Sequence, residues 1–471
     1  MINRLLLLIA CPALAMVQSL AAADVPSTNA PPGTNGLPDW LTRPLSLADA
    51  LTIAESHNAA LQKAKKDLEI THGVAVQTRA VALPRLQAAG QYRAVDQSFI
   101  DVPTARGPVQ VEFEQNDQLW NVGLELAQTV YDGGRLQSSV RSARLLREQA
   151  LFDYQTALAD TLLNVRVAYD DVLLAAEQIV VREASVKLLT QQLDDTRRRE
   201  EAGTVPQFNV LRAEVELANA RPPLSRARNT FRIAKQRLAN ELGYDVPLGV
   251  AEDLPMTLTG RLDEPRAGVE LANALALALQ NRTELASLRV AERLRKEGVT
   301  TARSDYLPRF ELFAGYGIQN RQFAFDLTSE IHGWSAGARM NWSLFDGQLT
   351  KGRVQEARAR HERVQIDYED ARRRIELEVR ALYSTFVEAR EVLESQQKVI
   401  EQATEALRLA TARYEAGADT QLNVLSAQTA LTDARTVNVQ ALHAYSVALA
   451  RLQRAMGVLV MQSGSEKSLK R

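Results

Sequence analysis

The sequence predicts a mainly α-helical chain with a small amphipathic β part, built from a duplicated unit of long coiled-coil helices plus a β-hairpin. Three observations predict it. One pattern is stated twice in the 471 residues: Leu83-Pro84, Tyr92, Trp120, Asp132-Gly133, Tyr169, Glu201-Ala202-Gly203 and Asn209-Val210-Leu211 return in order as Leu307-Pro308, Tyr316, Trp334, Asp346-Gly347, Tyr383, Glu415-Ala416-Gly417 and Asn423-Val424-Leu425. A tandem repeat of this length means two copies of one structural unit. The offset is 224 residues as far as the tyrosine and 214 from the tryptophan onward, so the first copy holds ten extra residues between Tyr92 and Trp120. The second observation is a period of two in short stretches of each copy, and the third is a pair of very long runs without proline.

Residues 1–23 read as a signal peptide: Arg4 precedes the apolar run Leu5 to Leu20, and Ala21-Ala22-Ala23 offers small residues for cleavage before Asp24. A competing reading takes Leu8-Ile9-Ala10-Cys11 as a lipoprotein box, but the apolar stretch before Cys11 is short and Pro12 follows it. Either reading exports the chain. Residues 24–44, rich in Pro, Gly, Asn and Thr, form a leader. The two repeats then occupy 45–245 and 267–457, joined by a linker at 246–266 and followed by a tail at 458–471.

Ser46 caps a helix whose apolar residues Leu47, Ala50, Leu51, Ala54, Leu61 and Leu68 keep helical spacing up to Leu83-Pro84. The second copy repeats this helix from about Ala267 to Tyr306. The period then changes. Leu86, Ala88, Gly90, Tyr92 and Ala94 alternate with Gln87, Ala89, Gln91 and Arg93, and Trp120, Val122, Leu124 and Leu126 with Asn121, Gly123 and Glu125. Phe310 to Gln319 and Trp334 to Trp342 alternate in the same way, which places hairpins at about 85–130 and 309–345. Asp132 and Asp346 end the second strands and are placed to cap the helices after them. From Arg135 to about Glu200 some 66 residues run without proline, a helix on the order of 100 Å long. Gly203 and Gly417 mark turns into return helices from about Gln207 to Leu242 and Leu422 to Met456. The helix before each hairpin and the return helix together match the long helix, so two half-length helices lie end to end beside one full-length helix. Pro222-Pro223 predicts a break in the first return helix, because two amide donors are lost there.

Four amphipathic strands cannot close a barrel, and an open sheet in a bilayer leaves backbone groups unsatisfied. Chains must therefore pool their hairpins: two give eight strands, and three give twelve with room for a pore. The polar residues Gln91, Arg93, Glu311, Gln319 and Asn341 suit a wet lumen.

Taken together, these residues resemble the TolC-type outer-membrane efflux proteins over about Leu45 to Gly457. The resemblance rests on Leu-Ser-Leu-Ala-Asp-Ala-Leu at 45–51, the helix ends in Leu-Pro, Tyr-Asp-Gly-Gly at 131–134 and Phe-Asp-Gly-Gln at 345–348, and Arg-Tyr-Glu-Ala-Gly at 413–417 before Leu-Asn-Val-Leu at 422–425. It implies a homotrimer forming a 12-stranded shared β-barrel in the outer-membrane lipid and a periplasmic α-helical tunnel. It also implies a periplasmic adaptor protein and an inner-membrane pump as partners, with no cofactor. In the family the turns at the Gly203 and Gly417 positions form the tip that narrows the channel. Tyr414 matches a tyrosine that ties the closed aperture, with its partner near Asn209, and the constricting acidic positions fall at Asn423 and Ser426. None of those three is acidic, so the cation ring is in doubt and Asp419 is the nearby carboxylate. A clasp from the Tyr414 hydroxyl to the Asn209 amide is chemically available, and loss of that hydroxyl is expected to raise conductance.

Plainer readings stand beside these. Glycine after a helix is a common terminator, Tyr414 can simply pack, and Arg197-Arg198-Arg199 can be a solvated face. Trp120, Trp334 and Trp342 read as membrane-interface aromatics. The five histidines lack ligand spacing, and 56 basic against 57 acidic residues give no reason to expect nucleic acid. Asp170-Asp171 and Asp194-Asp195 are expected to be solvent-facing ion pairs. No phosphate loop, zinc-protease or nucleophile-elbow motif occurs, so catalysis has no support. The competing class is an exported coiled-coil scaffold without a pore, which would have no use for paired hairpins with apolar faces.

Overall fold

The computed structural model describes residues 39–99, 117–245, 253–262, 268–321 and 327–458. The signal segment, most of the leader, the tail and most of the loop with the ten extra residues lie outside the described residues. The chain divides into two units, a small one of Met1–Leu45 with Pro255–Thr257 and a large one holding the rest. In the small unit a helical turn, Asp39–Thr42, leads to Leu45, whose amide donates to the Thr257 carbonyl at 2.9 Å.

The large unit is the duplicated one. In chain order its elements are α1 (Leu47–His57), α2 (Ala59–Ala80), β1 (Arg85–Ala94), β2 (Gln118–Tyr131), α3 (Arg135–Glu201) and α4 (Gln207–Glu241). The second copy gives α5 (Leu271–Asn281), α6 (Thr283–Arg303), β3 (Arg309–Asn320), β4 (Glu330–Asn341), α7 (Leu349–Glu415) and α8 (Gln421–Ala455). The long helices α3 and α7 have 67 residues each, about 100 Å at 1.5 Å per residue.

Both copies start alike. The Ser46 hydroxyl accepts from the Asp49 amide at 3.2 Å and so caps α1. The single helix expected up to Leu83 is in fact two, because Asn58 takes an extended conformation between α1 and α2. Its Oδ1 caps α2 through the Ala60 amide at 2.9 Å, and its Nδ2 donates to the Glu241 carbonyl at 2.8 Å. In the second copy Arg282 makes the same break between α5 and α6, and it is buried in an ion pair with Glu378. Both breaks lie against the end of a return helix. A Cβ on Gly243 would sit 2.3 Å from the His57 carbonyl oxygen, and one on Gly457 2.8 Å from Asn281 Cβ, so the ends of the return helices press on the breaks.

The helices pack as expected from their lengths. Along the first half of α3 runs α6, tied by Arg141 to Glu297 at 2.9 Å and Ser287 to Asp153 at 2.8 Å. Along the rest of it runs α8, tied by Arg454 to Asp160 at 2.6 Å, Ser446 to Asp170 at 2.6 Å and Gln421 to Thr196 at 3.1 Å. On another side α2 packs Leu61 against Leu158 and Leu162, and α4 packs Val210, Ala213 and Leu217 against Leu193. Between α7, α5, α6 and α8 lies an apolar cluster, with Phe386 and Tyr445 rings 5.6 Å apart.

The break expected at Pro222-Pro223 is absent; α4 runs through both prolines. The amides they lack would have bonded the carbonyls of Ala218 and Asn219, and both residues are exposed to solvent. Val210, Ala213 and Leu217 before the prolines and Ala227, Ala234 and Leu238 after them are buried, and this packing keeps the helix continuous across the defect.

The four strands form one antiparallel sheet in the order β1-β2-β3-β4. Its register sets Tyr92 opposite Trp120, Leu124 opposite Tyr316, and Tyr316 opposite Trp334. Paired residues share a face, so Leu86, Tyr92, Val122, Leu124, Leu312, Tyr316, Trp334 and Met340 line one side. Gln87, Gln91, Asn121, Glu125, Glu311, Gln319, Ser335 and Arg339 line the other. At one end Asn320 replaces the ladder: its Oδ1 accepts from the Trp120 amide at 2.8 Å and its Nδ2 donates to the Gln118 carbonyl at 2.7 Å.

Candidate functional site

Two regions of the large unit carry the functional geometry: the sheet, and the helix turns at the opposite ends of α3 and α7. The sheet presents an apolar face to the outside of the chain, with Trp334 80%, Leu86 68% and Met340 59% exposed. Its edge strands β1 and β4 have no further strand beside them among the described residues. The aromatics fall at different heights. Trp120 lies near the loop end of β2, its Nε1 donating to the Leu327 carbonyl at 3.1 Å. Trp342 lies just past the helix end of β4, donating to the Tyr306 carbonyl at 3.1 Å. Trp334 is the fifth residue of β4, on the apolar face opposite Tyr316.

Below the sheet the first turns of both long helices are fixed. The Leu136 amide donates to Asp132 Oδ2 at 2.9 Å and the Thr350 amide to Asp346 Oδ2 at 2.7 Å, so the two aspartates do cap α3 and α7. Hydrogen bonds to Thr350 hold the Asp346 carboxyl below its ordinary range. Asp305 pairs with Arg135 at the start of α3 and with Arg353 of α7 at 3.0 Å, which ties the two helices together.

At the far end the turns are alike in both copies. Gly203 (φ 70°) and Gly417 (φ 73°) are left-handed, and the residues after them return hydrogen bonds to the helices: Thr204 to the Arg199 carbonyl and Ala418 to the Arg413 carbonyl, each at 2.9 Å. This is the αL helix ending that selects glycine. Asp419 is held by its neighbours. Its Oδ1 accepts from the Thr420 amide at 2.8 Å and from the Asn423 side-chain amide, and Arg413 lies 3.8 Å from its other oxygen. The Thr420 amide first, then Asn423 and Arg413, lower its pKa, so it stays ionised. Asn423 and Ser426 are exposed and uncharged, and Asn209 is half-buried.

The clasp from Tyr414 to Asn209 is not made within the chain. The Tyr414 hydroxyl is buried without a hydrogen-bond partner, and the Arg199 guanidinium lies 5.0 Å above its ring. The arginine from α3 occupies the ring face, so the contact is cation–π instead. Nearby, Gln421 and Thr196 form a buried polar contact between α8 and α3. A glutamine at the same place in both copies, Gln207 and Gln421, is the signal that marks it. A second correction concerns Asp170, expected in solvent: it is 6% exposed and accepts from buried Ser446, while its neighbour Asp171 shares a 2.8 Å hydrogen bond with His443. Asp194 and Asp195 are exposed as expected.

Among the described residues no group of His, Cys, Asp and Glu is arranged to hold a metal, and no helix is long and apolar enough to cross a membrane. The family model described as outer membrane efflux protein matches residues 50–244 and 274–458, one match for each repeat. The chain belongs to this outer membrane efflux protein family. It is an outer-membrane exit duct, and its relatives are channels rather than enzymes. It is 25% identical over 416 residues to the alkaline protease secretion protein AprF of Pseudomonas aeruginosa, covering 88% of this chain and 85% of AprF. To the outer membrane protein TolC of Salmonella enteritidis it is 23% identical over 352 residues, covering 73% and 70%. The crystal structure of the Campylobacter jejuni CmeC outer membrane channel superposes with a TM-score of 0.73 at 15% identity, covering 92% of this chain and 94% of CmeC, and so shares its fold.

Proposed function

We propose that three copies of this outer-membrane efflux protein assemble into one channel, with their sheets closing a twelve-stranded barrel and their helices forming a duct across the periplasm. A periplasmic adaptor and an inner-membrane pump bring cargo to the duct, which conducts it passively. The observation that carries this reading is a difference between the two copies. Leu425 of α8 is 6% exposed, whereas Leu211, its counterpart on α4, is 53% exposed. Leu377 of α7 is 69% exposed, and its counterpart Leu163 on α3 is half-buried. The faces left bare in one repeat are the faces that the other repeat covers, so a second copy of the chain is the natural cover. The apolar sheet face is suited to lipid and the polar face to a water-filled lumen.

In this reading the turns at Gly203 and Gly417 form the periplasmic tip. Tyr414 and Arg199 tie α7 to α3 there, and Asp419 fixes the start of α8. Asn423 and Ser426 leave the aperture without an acidic ring, so multivalent cations have no strong site. Trp120 and Trp342 sit at opposite ends of the barrel wall as interface anchors. Cargo identity is set by the pump. Purified protein in detergent, measured by sedimentation and then in planar bilayers, tests the reading. A trimer that conducts supports it, and a water-soluble monomer without conductance refutes it.

A further inference from the structure

The repeat is a geometric operation as well as a likeness, and it makes a statement about the seam between chains. Moving β1 by 224 residues and β2 by 214 carries the pair Arg85 and Ala127 onto Arg309 and Asn341, which are indeed paired. The operation therefore preserves strand register inside the chain. It also preserves element bounds, since α3 and α4 map residue for residue onto α7 and α8.

Between the repeats, β2 pairs with β3: Leu124 with Tyr316, Glu125 with Gly315, Leu126 with Ala314, Ala127 with Phe313. Advancing β2 by one repeat gives β4, and moving β3 back by one gives β1. We infer that β4 of one copy pairs antiparallel with β1 of the next in one register: Ala338 with Tyr92, Arg339 with Gln91, Met340 with Gly90, Asn341 with Ala89 and Trp342 with Ala88. This inference rests on the trimer reading and adds the seam that closes it.

The chemistry supports the register, although the operation takes no account of chemistry. On one face Ala338, Met340 and Trp342 meet Tyr92, Gly90 and Ala88, and on the other Arg339 meets Gln91 and Asn341 meets the small Ala89, so both faces of the sheet continue across the seam. A slip of one residue would set Arg339 opposite Tyr92 or Gly90 and reverse the faces. Size also alternates: Tyr92 faces Ala338, Met340 faces Gly90 and Trp342 faces Ala88. The side chains that would meet are open to solvent in the single chain, with Tyr92, Met340 and Trp342 all exposed. A slip of two residues in one direction would place Met340 against Tyr92 and lose this fit, and the cysteine pairs below decide against the slip in the other.

Cysteine pairs test the register in the full chain. The only cysteine in the sequence is Cys11, inside the expected signal segment, and single-cysteine variants control for it. Opposed residues in antiparallel strands alternate between two spacings, of which the closer, with Cα atoms about 4.5 Å apart, suits a disulfide. Two successive pairs therefore sample both: Ala89→Cys with Asn341→Cys, and Gly90→Cys with Met340→Cys. The shifted controls combine Ala89→Cys with Arg339→Cys or with Ser343→Cys. After oxidation of outer membranes and a non-reducing gel, at least one in-register pair should convert most of the chain to bands of two and three chains, reversed by reductant. Equal or stronger linking of a shifted pair overturns the register and leaves the trimer standing. So does a lack of linking in every pair when the protein sediments as a trimer. Monomeric sedimentation with no linking overturns the trimer itself.

Discussion

The breaks at Asn58 and Arg282 pack closely against Gly243 and Gly457 in other parts of the chain, and substitution of those glycines tests how much that packing contributes. Gly203 and Gly243 have nearly the same backbone, φ 70° and 78°. They differ in what surrounds them. An added Cβ at Gly203 meets nothing within 4 Å, whereas at Gly243 it falls 2.3 Å from the His57 carbonyl oxygen and 2.6 Å from its carbon. Alanine at either position carries the left-handed penalty of roughly 1–2 kcal/mol. At Gly243 a backbone overlap is added, an overpacking cost of about 1–3 kcal/mol, because neither α1 nor the Asn58 cap can yield like a side-chain tip. The expected cost is therefore about 2–5 kcal/mol for Gly243→Ala against about 1–2 for Gly203→Ala. The assay is loss of the helical circular dichroism signal with urea in detergent, with the midpoints ranked. Gly243→Ala should fall well below Gly203→Ala, with Gly457→Ala, at 2.8 Å from Asn281 Cβ, also below it. Equal midpoints for Gly203→Ala and Gly243→Ala would refute the account of the breaks.

Single contacts give three more expectations. Tyr414→Phe removes a hydroxyl that has no partner, so channel conductance should stay at the wild-type level, while Tyr414→Ala, which also removes the Arg199 stack, should raise it; an increase with Phe would restore the hydrogen-bonded clasp. Replacing Pro222-Pro223 by the Thr-Val of the second copy should leave helix content unchanged and raise the urea midpoint, since each interior proline costs about 3 kcal/mol in a helix; a gain in helix content would show that α4 is broken after all. Glu297 has its pKa lowered, first by the hydrogen bond from Arg141 and also by Ser138. A depressed folded value means that its stabilisation is present above the ordinary carboxylate pKa of about 4.3 and is lost as pH falls through the folded value. Wild-type stability should thus drop on the acid side more steeply than that of Glu297→Gln, and parallel pH profiles would contradict this.

The sequence made some features legible and hid others, for physical reasons. The strands and their faces were readable because a half-exposed strand writes its two environments alternately, as in Trp120, Val122, Leu124 and Leu126. The turns were readable because a left-handed residue selects glycine, at 203 and again at 417. The breaks at Asn58 and Arg282 were not, since the helical spacing from Ala54 to Leu61 runs across the first of them and Gly243, which packs against it, is far away in sequence. Pro222 misled in the opposite direction: a local rule was overridden by burial on both sides of it. At the tip, the residue types of Tyr414 and Asn209 allowed a bond that Arg199 displaces, and nothing in the spacing of Asp170 foretold that Ser446 would bury it.

The central claim is that the sheet stands in a bilayer with Leu124 toward lipid and Gln91 toward water inside a conducting pore. Single-channel recording of Gln91→Cys and Leu124→Cys with a charged, membrane-impermeant thiol reagent tests it most directly. The account predicts a stepwise fall in conductance for Gln91→Cys and none for Leu124→Cys. Block of Leu124→Cys with no effect on Gln91→Cys, or the absence of any channel to block, would contradict it.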